Sequence, residues 1–508
     1  MTKILDFVNG LVWGVPVLTL ILGVGLYLSL RTGFLQVTLF PRAVRMFFRD
    51  QTGREGDGTS PFRALCTALA ATVGTGNIAG VAGAIALGGP GAIFWMWISG
   101  ILGMMIKFAE ATLAVRYRRK TDGEYIAGPM YMIRHGLSAR FRWLAGFYCF
   151  FGIVAAFGVG NLTQINAVTV AANEMLCYFG VRTSGQTNLL LGIVLAVVIG
   201  AMLLGGAKRI GAAAETLVPV ASVLYLLMGA VVLVLRWDRI PAALTAIIQG
   251  AVSPRAVTGG VLGSVFQTMR IGISRGIFTN EAGMGTASIA HGAADVAHPC
   301  DQGLMGLIEV FLDTIVICTM TALVILCSGV QIPFGVDEGA ALTGRAFASV
   351  YGDWIAVPMA LLLCCFAFAT VLGWGLYGAR CAQFLFGANV WKAFAWLQSG
   401  VVILGAVMNT RVVWLLAEIV NGLMAFPNLI AVAGLSGELV RLTFAYKSRP
   451  GSNAASGGTY ENFNQCKPLR TLAYAEIPSP CRQCAEAGQE NLSSEYRSAR
   501  FGNSSGLL

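Results

Sequence analysis

Apolar residues occur in long runs separated by short polar stretches, and this pattern repeats along most of the chain. About twenty apolar residues cross a bilayer as a helix. Runs of that order lie near residues 10–30, 62–86, 88–115, 143–175, 186–204, 213–236, 257–292, 301–330, 353–386, 392–409 and 412–441. They predict an all-α polytopic membrane protein with eleven transmembrane helices. The first run has a mixed Lys3/Asp6 flank and no small-residue cleavage motif before Arg31, so it is read as a retained helix rather than a signal peptide.

Two of these runs are built to lose helical structure. In residues 68–83 the centre reads Gly74-Thr75-Gly76-Asn77, where glycine weakens a helix and Thr and Asn bring polar groups that hydrocarbon rejects. Open backbone is tolerated in a membrane only where it is buried in protein or lines a cavity, so a ligand is implied. Residues 266–286 form the second interruption, with Arg270, Arg275 and Glu281 in an otherwise apolar span and Gly272 as the expected break. A mid-membrane charge costs about 2.5–3.5 kcal/mol on insertion scales, so these side chains need partners or water. For Arg275 the alternative is snorkelling to an interface.

With 10–30 set aside as a peripheral helix, the interrupted runs are the first and sixth of ten. They occupy matching positions in two five-helix halves, 62–236 and 257–441, which predicts an inverted-repeat secondary transporter with its site at mid-membrane. Residues 1–61 then supply the peripheral helix and a basic loop, and 448–508 a Ser-, Gly-, Asn- and Glu-rich cytoplasmic tail expected to be disordered.

Composition agrees with the membrane assignment: 56% of residues are hydrophobic and only 12% charged. The net charge of +10 does not signal nucleic acid. Arg31, Arg42, Arg45, Arg49 and Arg54 share one loop, and Arg116, Arg118, Arg119, Lys120, Arg134, Arg140 and Arg142 another. The positive-inside rule makes both cytoplasmic, with the N-terminus outside and the C-terminus inside a bacterial inner membrane. Most of the twelve cysteines sit in or beside apolar spans as small hydrophobes. Cys466, Cys481 and Cys484 in the tail lack a second CxxC pair and a nearby His, so unpaired thiols are expected there.

Several motifs in series resemble the alanine/glycine:cation symporter family. They are residues 74–81 (GTGNIAGV), Gly88-Gly89-Pro90-Gly91-Ala92, Phe94-Trp95-Met96-Trp97, residues 205–210 (GGAKRI), residues 275–285 (RGIFTNEAGMG), Ala290-His291, His298-Pro299, Gln302-Gly303 and Gly373-Trp374, over roughly 10–445. The resemblance implies sodium-driven uptake of a small neutral amino acid, alanine or glycine, on the inverted-repeat scaffold shared with neurotransmitter:sodium symporters.

A zwitterion needs donors for its carboxylate and acceptors for its ammonium, and a broken helix offers both. The N–H groups of Thr75 and Gly76 are assigned to the carboxylate, with Asn77 steadying the unwound stretch or joining the contact. Close helix packing is the alternative for these glycines, and it is the expected role of Gly80 and Gly83. On the scaffold that the resemblance implies, sodium meets the carbonyls of Ala70 and Val73, backbone oxygens around Phe366 and Ala369, and Thr370. Oxygen ligands of this kind suit a hard cation. The Thr370 hydroxyl contacts substrate in the alternative reading. Thr370 and Trp374 stand four apart on one helical face, which the resemblance turns to the pocket. Gln164 resembles the family's substrate-contacting glutamine, whereas Asn161 and Asn166 are read as joining helices.

In the second interruption the same scaffold gives Thr268, Ile273 and Ser274 substrate-facing positions, with freed carbonyls near 270–272 for the ammonium. Arg270 is awkward there: either it points to an external vestibule or the register is shifted. Glu110 either pairs with Lys107, accepts hydrogen bonds from unwound backbone of the sixth core helix, or couples protons.

Symport with sodium is the leading function, and proton-coupled symport the alternative. One charge moved inward through 100 mV is worth about 2.3 kcal/mol, or roughly fifty-fold accumulation of a neutral zwitterion. No GxxxxGK[ST] loop is present, so ATP is not the driver. A channel would need a conductance without alternating access, and an enzyme a cluster of His, Cys or acids at one depth. His135, His291 and His298 are the only histidines and lie apart in sequence, so no cofactor or resident metal is expected.

Overall fold

The computed structural model describes residues 10–448 except 11, 50–57, 122, 259, 261–263, 337 and 409, with only the backbone at 15, 255, 256 and 410–418. The described residues fall within one compact unit, Met1–Ser456. The tail from 449 onward, with its three cysteines, lies outside the described residues, as do Arg54 and the start of the second interrupted span.

Helices dominate. Helix α1 (Val15–Thr32) is followed by α2 (Phe40–Arg49) and by a bent pair, α3 (Pro61–Thr72) and α4 (Gly76–Gly88), that turns through 54°. Next come α5 (Gly91–Tyr117), α6 (Ala139–Tyr178), α7 (Gly185–Leu204) and α8 (Gly206–Leu235). Helices α9 (Val265–Asn280) and α10 (Ala287–His291) flank the second interruption. Farther along the chain are α11 (Pro299–Ser328), α12 (Ala340–Tyr351), α13 (Ala356–Phe386), α14 (Trp391–Val407), α15 (Thr410–Gly434) and α16 (Ser436–Lys447). Among the described residues, seven helices are long and apolar enough to cross a membrane, and up to nine spans result if each bent pair is one. The last apolar run, expected as one span over 412–441, bends by 57° between Ile419–Gly434 and α16.

Glycine sets the close approaches around the first break. A Cβ at Gly373 would lie 3.0 Å from Ala71, and one at Gly160 would lie 2.2 Å from the Cβ of Trp374. Helices α3, α6 and α13 therefore meet backbone to backbone. Large aromatic side chains, Trp374, Tyr148, Tyr225 and Tyr377, are wholly buried behind them. Helices α7 and α8 do the opposite, exposing Val197 at 67% and Val234 at 70%, as a lipid-facing surface requires.

The two interrupted helices are joined at one end. The Thr59 N–H donates to the Ala293 carbonyl and the Asp295 N–H to that of Thr59. At the other end a vestibule of about 1080 Å³ opens, lined by Ile78, Ala79, Gly80, Arg275 and Arg345. Arg275 thus faces this vestibule, whereas Arg270 is exposed.

Candidate functional site

The first break is held by a side chain rather than by the helix. Helix α3 ends at Thr72, Val73 is extended (ψ 105°), and the Gly74 N–H donates to Asn77 Oδ1 at 2.9 Å. This leaves the Ala70 carbonyl without the donor that a continuing helix would give it. Asn77 is anchored in turn, its Nδ2 donating to Asp313 Oδ1 at 2.7 Å. Thr75 and Gly76 open the outer half-helix, where first-turn N–H groups have no carbonyl one turn earlier.

Beside this break lies a small cavity lined by Thr72, Gly74, Thr75, Gly76, Val159, Gln164, Phe278, Glu281, Thr370 and Trp374, with Ala71. Its free volume of about 10 Å³ holds roughly one water. A Cβ at Gly74 would stand 2.8 Å from Thr370 Oγ1 and 3.5 Å from Gln164 Oε1, so only glycine lets these three meet. The Thr75 hydroxyl donates to Gln164 Oε1 at 3.2 Å, and Gln164 Nε2 to the Val159 carbonyl at 3.2 Å. The Thr370 hydroxyl donates to the Phe366 carbonyl at 3.0 Å. Trp374 Nε1 donates to Glu281 Oε1, also at 3.0 Å.

Of the residues expected from sequence, the cavity brings together Thr75, Gly76, Gln164, Thr370 and Trp374. Ala70 and Val73 sit at the end of α3, and Phe366 and Ala369 on the α13 turn that carries Thr370. Asn77 lies outside the lining and steadies the break. Asn161 and Asn166 join helices, through the carbonyls of Gln398 and Met408. Gly80 is corrected: nothing lies within 4 Å of a Cβ there, so it faces the vestibule instead of packing.

Thr268, Ile273 and Ser274 are not brought to the cavity. Helix α9 runs unbroken through Gly272, so the carbonyls near 270–272 remain in helical backbone. Gly272 serves packing, since a Cβ there would lie 2.2 Å from the Ala92 carbonyl oxygen of α5. The break falls at 281–286, where Glu281 (φ 53°), Gly283 (φ 93°) and Gly285 (φ 77°) adopt left-handed backbone. At 1.5 Å per residue, Ile273 stands about 12 Å up the helix from it.

Glu110 receives this second break. Its Oε1 accepts from Gly283 N at 3.0 Å, Gly285 N at 3.1 Å and Asn428 Nδ2 at 2.6 Å. Lys107 pairs instead with Glu309, at 3.2 Å, both fully buried. Glu309 also contacts His291 Nε2 at 2.8 Å. Thr72, Val159, Phe278 and Glu281 were missed as cavity residues. Glu281 had a signal, an acid inside a span; the apolar Val159 and Phe278 had none.

Residues 1–457 match the model of the sodium:alanine symporter family. The chain belongs to this family. The symporter is 42% identical over 453 residues to the sodium/alanine symporter AgcS of Methanococcus maripaludis, covering 87% of this chain and 97% of the relative. It is 43% identical to an uncharacterized transporter of Haemophilus influenzae, over 88% of this chain and 96% of that one. A probable sodium/glutamine symporter, GlnT of Bacillus subtilis, is 38% identical, over 86% and 88%. Among solved structures, MhsT in complex with L-phenylalanine superposes with a TM-score of 0.54 at 14% identity, covering 77% of this chain and 99% of that one. The symporter therefore has that transporter's fold, and it is a carrier, not an enzyme.

Proposed function

We propose that the symporter imports alanine or glycine with sodium, binding the amino acid in the cavity beside the first break. The carrying observation is that cavity: broken backbone at Thr75 and Gly76 faces Gln164, Thr370 and Trp374. The Thr75 and Gly76 N–H groups take the carboxylate, Gln164 and Thr370 flank it, and Trp374 closes the side-chain volume.

Sodium, as cargo, is held by the carbonyls of Ala70 and Val73, backbone oxygens of Phe366 and Ala369, and Thr370 Oγ1. Support comes from the Gly74 N–H turning to Asn77 and from α3 meeting α13 at Gly373. Eleven spans follow if α1 and the α9–α10 pair are added to the nine, with 62–236 and 257–441 as inverted five-helix repeats. The basic loops face the cytoplasm, the N-terminus lies outside, and the vestibule opens outward while the Thr59 strap closes the inside.

Uptake of labelled alanine and glycine into proteoliposomes, under a sodium gradient and then a proton gradient, tests this. Accumulation is expected with sodium. Uptake driven only by protons favours the proton-coupled alternative, and uptake under neither gradient refutes the reading.

A further inference from the structure

Four buried acids lie around the two breaks, and three are already accounted for. Glu110 collects three N–H donors, Glu309 has Lys107 and His291, and Asp313 accepts from Asn77 and Thr314. Glu281 differs on two counts. It has no ion-pair partner among the described residues, and it is the only acid on the cavity wall.

Its backbone sits in left-handed space, φ 53°, as the residue that ends α9. For a residue other than glycine that conformation costs on the order of 1–3 kcal/mol and persists where the surroundings impose it. The carboxylate is 3% exposed. Oε1 accepts from Trp374 Nε1 at 3.0 Å and Oε2 from Thr286 Oγ1 at 2.5 Å. Two donors leave about half of a carboxylate's acceptor positions open. A buried charge so served is costly unless an opposite charge joins it.

We propose that Glu281 is the counter-charge for the substrate's α-ammonium group, which rests on the amino-acid reading above. The zwitterion then spans the two interruptions, its carboxylate on the N–H groups of the first and its ammonium on the acid of the second. Glu281 replaces the carbonyls near 270–272 that the sequence pointed to, since those stay in helix. Trp374 gains a second task, because its N–H fixes Oε1 while its ring walls the cavity. The substrate class narrows to molecules with a cationic amino group next to a carboxylate. A 2-hydroxy acid of the same size is excluded.

The test compares alanine with lactate, which carries a hydroxyl in place of the ammonium. Binding of each to purified full-length protein is measured at saturating sodium, for wild type, Glu281→Gln and Glu281→Asp. Wild type is expected to prefer alanine by at least about a hundredfold. Glu281→Gln should weaken alanine at least about tenfold and leave lactate nearly unchanged, so that the preference collapses. Glu281→Asp should restore part of it. A merely structural role would lower both affinities together, and that result overturns the proposal. So does alanine binding within about twofold of wild type in Glu281→Gln. Should that variant fail to fold, as shown by loss of its sodium-induced thermal shift, wild type still decides: a lactate affinity within about threefold of alanine's contradicts the proposal. Wild type binding neither alanine nor glycine would instead refute the transport reading itself.

Discussion

The two interruptions are stabilised by the same device, an acceptor side chain for the freed N–H groups, supplied from different distances in sequence. In the first, the glycines stand at the opening itself, and Asn77 three residues on catches the freed Gly74 N–H. In the second, the conspicuous Gly272 is a packing residue, and the N–H groups opened at Gly283 and Gly285 are caught by Glu110 from a distant helix. A membrane glycine thus either lets two helices touch or lets a backbone open. What separates the cases is whether a polar side chain waits for the released N–H.

Substitutions can break this comparison. Glu110→Ala should have the largest effect, because it strands two buried backbone N–H groups and the Asn428 amide at about 1–3 kcal/mol each. Loss of monodisperse protein on size exclusion is the expected result; normal yield and melting temperature would remove Glu110 as the support of the second break. Gly74→Ala comes next: its Cβ would meet Thr370 Oγ1 at 2.8 Å. Alanine uptake should fall at least about tenfold while the protein stays folded.

Gly272→Ala should separate packing from binding. Its Cβ would press on the Ala92 backbone, which costs about 1–3 kcal/mol and lowers the melting temperature. The alanine KM of the folded fraction should not change; a raised KM would return Gly272 to the site. The smallest effect belongs to Gly80→Ala, which points into open space. Uptake and melting temperature should both stay within error of wild type.

Local chemistry made the first break readable: Thr75 and Gly76 could be chosen because glycine and hydroxyl groups in a span demand a reason. Gln164, Thr370 and Trp374 were assigned to the pocket by the family resemblance. The position of the second break was not readable, since it depends on Glu110, remote in sequence, and on which glycines α5 happens to crowd. Nor did any pattern mark Val159 or Phe278, ordinary apolar residues that reach the cavity through tertiary packing. The bend before α16 escaped for a related reason: hydropathy reports apolar length and not direction.

The central claim is that substrate and sodium meet at the first break. Its most direct test is labelled-alanine uptake by proteoliposomes under an inward sodium gradient, with wild type, Gln164→Ala and Thr370→Val compared at equal protein density. The account predicts concentrative, sodium-dependent uptake by wild type and an alanine KM raised at least about tenfold in both variants. Wild-type KM in both, or uptake indifferent to sodium, would contradict it.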